Sequence, residues 1–385
     1  MSARGGRRPR YLASQRAAWP SNSPTGSLLA DGYTPWYHLA YKMPAAEFSK
    51  LPLLTQTAYA RLLDLLLTSE AGSLGTSASL VSKTIGGRRY WYAQRRESGK
   101  KVQTYLGPES PEIDMLVERW RQSRTEAASR AELVAMARAG GAYVIGAAEA
   151  EVLQRLSPVF RIGGVLIGSH AFAALGNMLG VRWQEAMVRT GDVDIAHDHR
   201  IAVALASDGR PADLRKALGD PVPRFSVLSP TEPATAFRVR GADVEVEILT
   251  PMVGKERRRP IEIPVLGVAA TPLRFLDYLI EETQPAAVLG GSGALVNVPR
   301  PGRFALHKLI VATPRGTSGI PKAPKDRAQA SALLRVLLSE LPGEITLAWK
   351  ALASHGKAWI GAARRSIERL DPQLAARLRG LGVGL

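Results

Sequence analysis

The stretch Ile162-Gly163-Gly164-Val165-Leu166-Ile167-Gly168-Ser169, followed after a helical run by Arg189-Thr190-Gly191-Asp192-Val193-Asp194-Ile195-Ala196, decides the reading of this chain. The first half is an apolar run that ends in a Gly-Ser turn. The second half alternates carboxylates with β-branched residues. In a strand, residues i and i+2 share a face, so Asp192 and Asp194 aim together while Val193 and Ile195 point into a core. Two carboxylates held side by side repel unless a cation lies between them. Mg²⁺ suits such a pair, because it binds one or two carboxylates together with substrate phosphates. A second alternating stretch, Asp243-Val244-Glu245-Val246-Glu247-Ile248-Leu249-Thr250-Pro251, again puts its acids on one face. Asp-x-Asp alone also occurs on exposed strand ends. The ordered combination of strand, Gly-Ser, helix, Arg189, Asp-x-Asp and acidic strand is the stronger signal.

Two other glycine patterns point elsewhere and fail. Gly163 to Ser169 has the spacing of a P-loop, but His170 follows and the phosphate-binding lysine is missing. Gly290-Gly291-Ser292-Gly293 lacks the third glycine of a dinucleotide fingerprint and reads as a loop. His170, His197 and His199 lie near the acidic strand without the spacing of a metal-binding pair, and read as supporting or surface residues.

The Gly168-Ser169 turn followed by Asp192-x-Asp194 resembles the signature of the DNA polymerase β-like nucleotidyltransferase superfamily, which transfers a nucleoside monophosphate from an NTP. The resemblance implies that Gly168 and Ser169 hold the triphosphate. It also implies that Asp192, Asp194 and a third carboxylate hold two Mg²⁺ ions, with Mn²⁺ as the alternative. Glu247 precedes Ile-Leu-Thr-Pro, similar to the Val-Asp-x-Leu-Thr-Pro strand of a poorly characterised bacterial nucleotidyltransferase family. Glu247 is thus the preferred third ligand and Glu245 the second choice. This chain departs from the pattern in its long gap between Ser169 and Asp192 and in carrying Glu as the third acid. Arg189 either steadies the triphosphate or pairs with the acids. Further on, Phe304-Ala-Leu-His-Lys308-Leu, Arg315, Lys322-Ala-Pro-Lys325-Asp326 and Gln329-Ala330 resemble the helical half of the same bacterial family. That likeness implies that Lys308 and Lys325 face the triphosphate as point charges; otherwise they are ordinary helix-surface charge. The implied function is metal-dependent transfer of an NMP to a hydroxyl. The acceptor stays open between RNA or tRNA, a protein hydroxyl of the toxin–antitoxin kind and a small molecule. A catalytically silent member that binds nucleic acid or a partner protein is the remaining alternative.

The 385-residue chain has no cysteine, which excludes disulfides, cysteine nucleophiles and thiolate metal sites. No apolar run reaches the length of a membrane helix, so no membrane partner and a cytoplasmic location are expected. The net charge of +17 suits capture of a polyanion, or else serves solubility. Nothing here decides the oligomeric state.

The expected fold class is α/β (α+β), with a nucleotidyltransferase mixed-sheet core between an N-terminal α+β module and a C-terminal helical domain. Residues 1–31 form a basic arm (Arg4, Arg7, Arg8, Arg10 and Arg16) too polar to bury a core. Residues 32–108 make a small α+β module: Tyr59, Leu62, Leu63, Leu66 and Leu67 recur at helical spacing, and a β-meander turns at Gly86-Gly87 and Ser98-Gly99. In the meander Arg88, Arg89, Arg95, Arg96, Lys100 and Lys101 interleave with Tyr90, Trp91 and Tyr92. These residues either hold nucleic acid or divide into core aromatics and solvated cations. Residues 109–157 connect as helix, with Pro111 at its first turn and Gly140-Gly141 as its end. The core, 158–268, reads as strand 160–167, helix 170–180, strand 190–196, helix 211–218 and strands near 224–228, 235–240, 243–249 and 261–266. Residues 269–385 read as mostly helical, opening with a helix at Thr271-Pro272.

Overall fold

Alternating acids and β-branched residues build the centre of the molecule. In the computed structural model Asp192–Ala196 is a strand whose Val193, Ile195 and Ala196 are completely buried. Its neighbour Glu245–Pro251 runs parallel to it and buries Val246 and Ile248. Antiparallel Val165–Leu166 lies on the other side of the Asp strand. Val268–Leu273 extends the sheet in parallel beyond Glu245–Pro251, and Ile261–Ile263 closes that edge. Ala236–Arg238 and Val222–Arg224 add a short antiparallel ladder beside Glu245–Glu247. The result is a mixed α/β architecture with parallel strands at its centre. The structure describes residues 48–69, 79–97, 100–200, 213–219, 222–224, 234–239, 243–252, 254, 259–312 and 323–384. The basic arm 1–31, Arg315, Lys322 and most of the expected strand 224–228 lie outside them, as do the side chains of Arg95, Arg96 and Lys100.

Three expectations change. A strand over 160–167 survives only at Val165–Leu166; Pro158 instead favours the short helix Ser157–Arg161, since its fixed φ suits a first helical turn. Thr271-Pro272 does not open a helix but ends the strand Val268–Leu273. Pro272 has a partner only in Thr250, so its missing N–H faces the unpaired side, where a strand tolerates proline. The region after 269 is not helical at first. A hairpin, Thr283–Val288 with Ala294–Pro299, turns through Gly290-Gly291-Ser292-Gly293, with Gly291 at φ 57° and Gly293 at φ 80°. Asn297 anchors it by donating to the carbonyls of Phe160 (2.7 Å) and Gly164 (3.0 Å).

Helices cover the sheet. Gly168–Met178 is almost wholly buried, with Phe172 stacked on Trp183 at 4.5 Å. Pro301–Val311, Ala323–Glu340, Pro342–Ser354, Lys357–Ile367 and Pro372–Gly380 follow the hairpin and share the sheet's apolar core. The helix Leu53–Thr68 buries Tyr59, Leu62 and Leu66, leaves Leu63 at the margin and exposes Leu67. Its buried face packs on the hairpin, where the Tyr59 hydroxyl accepts from the Ala287 N–H at 3.2 Å. Burial pushes that phenol up to about 12. The long helix Pro111–Ala139 starts at Ser110, whose Oγ accepts from the Ile113 N–H.

His307, on Pro301–Val311, has an enclosed Nδ1 with no hydrogen-bond partner among the described residues, and burial pushes its pKa down to about 3. The ring is therefore neutral in the fold and takes a proton more readily once unfolded. A depressed histidine contributes full stability above about pH 6.5, and loses it as the pH falls from there toward the folded value. Thermal unfolding of His307→Leu, compared with wild type from pH 7 to pH 4, should show the smaller loss of Tm on acidification. An equal loss would remove His307 from the acid sensitivity.

Candidate active site

The strand pairing assembles the acids. Glu245 stands in register with Asp192, and Glu247 with Asp194, so all four carboxylates share one face of two adjacent strands. Asp192 is exposed, and Asp194, Glu245 and Glu247 are half-buried, while the opposite face of both strands is core. On its other edge Glu245 has Arg238 in register, whereas Glu247 has Ala236. The two glutamates thus differ in the residue set across this ladder.

Gly168 lies directly against this face. It opens the helix Gly168–Met178 at φ 68°, a left-handed value that favours glycine. A Cβ there would overlap the Asp194 carboxylate. The turn is tied to the acidic strand through the Ile167 N–H, which donates to the Asp194 carbonyl at 3.0 Å. Next in the helix, His170 is buried with Nδ1 3.0 Å from the Asp192 carbonyl. Burial holds its pKa below the ordinary histidine range, against the opposing influence of that carbonyl and of Glu149 and Asp192. His197 is also core: its Nε2 lies 2.9 Å from the Ile162 carbonyl and its Nδ1 3.2 Å from that of Asp198. His199 is fastened to Thr250, with Nδ1 3.0 Å from the hydroxyl, so the threonine of Ile-Leu-Thr-Pro secures the chain just after the Asp strand. Asp198 is held in turn by the Arg200 guanidinium.

The helix Ala323–Glu340 closes over the Gly-Ser turn. Lys325 donates to the Arg189 carbonyl at 2.7 Å and lies close enough to His170 to oppose its protonation. The Arg189 side chain itself is exposed. Lys308 is engaged differently: its Nζ is 2.6 Å from Asp326 Oδ1 in a well-covered ion pair between two helices. Gln329 is a site residue to which the sequence pattern assigned no role. It is fully buried, donates to the Met187 carbonyl at 2.7 Å, and has its Nε2 3.4 Å from Ser169 Oγ. Its Oε1 has no hydrogen-bond partner among the described residues. The sequence signal for it is its place in the Gln329-Ala330 element of the family resemblance, to which no role is attached.

Divalent metal fits the donor chemistry of this face. The carboxylates supply hard oxygens, and the bare Cα of Gly168 leaves room beside Asp194 that a side chain would fill. Among the described residues, no three carboxylate or imidazole groups are drawn together tightly enough to form a ready-made metal cluster.

Residues 148–354, more than half of the chain, match the model of a family described as nucleotidyltransferase. The chain belongs to this nucleotidyltransferase family, which supports nucleotidyl transfer as its general activity. The matched region contains every site residue discussed above and the helices Pro301–Val311 and Ala323–Glu340. Residues 65–115 match a second family, described as a domain of unknown function (DUF6788), which spans the β-meander. No curated protein and no solved structure matches the chain. Among the described residues, no helix is long and apolar enough to cross a membrane.

Proposed function

We propose that this protein transfers a nucleoside monophosphate from an NTP to a hydroxyl acceptor at the face formed by Asp192, Asp194 and Glu247. The in-register pairing of the two acidic strands beneath Gly168 is the observation that carries this reading. Asp192, Asp194 and Glu247 would hold Mg²⁺, or Mn²⁺ in its place. When bound, such ions supply charge stabilisation for phosphoryl transfer and a more acidic acceptor hydroxyl. Gly168 lets the backbone approach the phosphates closely, and the Ser169 hydroxyl, steadied by Gln329, is available to them. Lys325 adds positive charge beside Asp192, and Arg189 offers an exposed guanidinium at the rim. Lys308 reaches a phosphate only by exchanging its bond to Asp326; in its present pairing it orients the helix that carries Lys325. The site is asymmetric in a useful way, with acids on the strands and cations on the covering helix, so that metal and phosphate have separate partners.

Glu247 is the third ligand in this reading, because it stands in register with Asp194, against which Gly168 is packed. Glu247→Gln should cost at least tenfold more activity than Glu245→Gln. The reverse order in a transfer assay would move the site by two residues.

RNA is the favoured acceptor, on the strength of the net charge of +17. The direct test is incubation with each α-labelled NTP, Mg²⁺ and either total RNA or total protein, followed by a gel. Label in RNA supports this reading, and label in a protein band makes nucleotidylation of a protein the function. Label from γ-labelled NTP with none from α-labelled NTP would replace nucleotidyl transfer by phosphorylation. No label under any condition would favour a binding role without chemistry.

A further inference from the structure

The two faces of the three-stranded sheet formed by Ser79–Ile85, Arg88–Glu97 and Lys100–Pro108 have different chemistry. In-register neighbours share a face, so Val81, Tyr92 and Tyr105 lie together, as do Ser79, Gln94 and Gln103, and Lys83 with Tyr90. Trp91 belongs to the opposite face with Ser82 and Gly107. That face leans inward: the Trp91 indole N–H is enclosed, Gly107 is buried, and a Cβ on Gly107 would stand 3.2 Å from Ile113 of the long helix. The sheet thus sends its tryptophan toward the protein and its tyrosines away from it.

The outer face is an aromatic platform with cations at its margin. Tyr92 and Tyr105 have ring centres 5.5 Å apart, and Tyr90 and Tyr105 6.3 Å apart. Tyr105, in the middle, is 54% exposed despite its size. Lys83 stands 4.8 Å over the Tyr92 ring and donates to Gln103 at 2.9 Å, while Gln103 donates to Gln94 at 3.0 Å. Arg88 and Lys101 are exposed at opposite ends of the platform. Among the described residues of this face there is no carboxylate; the nearby ion pair of Arg89 with Glu109 belongs to the other face.

We propose that this outer face binds single-stranded nucleic acid, with bases stacked on Tyr90, Tyr92 and Tyr105 and phosphates held by Lys83, Arg88 and Lys101. The exposed Tyr105 ring can accept the π-face of any base, the half-buried Tyr90 and Tyr92 widen that platform, and flanking cations follow the backbone. A duplex hides those base faces and would leave the tyrosines unused. The glutamine pair adds donors and acceptors beside the rings without introducing negative charge. This binding site is distinct from the acidic strands and does not depend on transfer chemistry.

The test is fluorescence anisotropy on the full-length protein without NTP or Mg²⁺. The probes are labelled oligo-U and oligo-dT of about 12 nucleotides, within the range of known single-strand site sizes, and a duplex of equal length. Wild type should prefer the single strands, and the two oligomers together tell whether the sugar matters. Tyr105→Ser should weaken single-strand binding about tenfold, the usual loss for one stacked base. Lys83→Gln and Lys101→Gln should each reduce the salt slope by about 0.7. Because the assay contains neither NTP nor Mg²⁺, failure of the transfer reading leaves this result standing. Tighter binding to duplex, or Tyr105→Ser and Tyr90→Ser variants that retain wild-type affinity and Tm, would overturn the proposal.

Discussion

Asp192→Asn and Asp194→Asn should each reduce nucleotidyl transfer on the order of 10²–10³-fold, the usual cost of removing one group that stabilises charge in a transition state. Both side chains project from one strand onto the face shared with Glu245 and Glu247, while their neighbours Val193 and Ile195 are completely buried. The fold should survive either change, because asparagine keeps the shape and removes only charge. Asp194 and Glu247 stand in register, and like charges directly opposite in a ladder are destabilising. In Asp194→Asn, loss of that repulsion should contribute about 0.2–1 kcal/mol of stability without metal, set against the loss of the carboxylate's own contacts. Adding Mg²⁺ should raise the Tm of wild type more than that of either variant. Full transfer by a variant of confirmed fold would remove these two residues from the chemistry.

Gly168→Ala should be the most damaging single-methyl change in the site. Two independent reasons coincide there. The backbone sits at φ 68°, and the added Cβ would overlap the Asp194 carboxylate. A non-glycine residue held in that region costs about 1–3 kcal/mol, and relief of the overlap requires either Asp194 or the start of the helix Gly168–Met178 to shift. Transfer should fall at least tenfold further than the loss of folded protein explains, because the displaced group is a proposed ligand. A urea titration paired with the rate per folded molecule separates the two effects. A variant with unaltered stability and unaltered rate would mean that the turn does not approach Asp194 as described.

The site was partly legible before the fold was known. Period-two alternation is a local property, so the facing of Asp192 with Asp194, and of Glu245 with Glu247, follows from strand geometry alone. The Gly-Ser turn was visible for the same reason. Where local signals misled, a longer-range partner decided the outcome. Thr271-Pro272 looks like a helix start, yet pairing with Thr250 draws it into the sheet. Gly290-Gly291-Ser292-Gly293 reads only as a loop, and the alternating alanines and valines around it become a hairpin because the helix Leu53–Thr68 and Asn297 hold them against the core. The meander's aromatics presented two open readings; in the structure Trp91 and the tyrosines lie on opposite faces, with the Trp91 N–H enclosed, Tyr105 exposed, and Tyr90 and Tyr92 half-buried.

The amino-acid sequence by itself determined the acidic strand faces, the glycine at the turn, the absence of thiol chemistry and the excess of positive charge, since each is a matter of residue type or of neighbours a few positions apart. Tertiary structure alone decided which acids meet. It put Glu247 beside Asp194, set Arg238 in register with Glu245, directed Lys308 to Asp326 and brought Gln329 from a distant helix to Ser169. Strand register and helix docking are set by how whole apolar faces pack, and a one-residue slip in register would turn Glu247 away from Asp194 without altering any local preference.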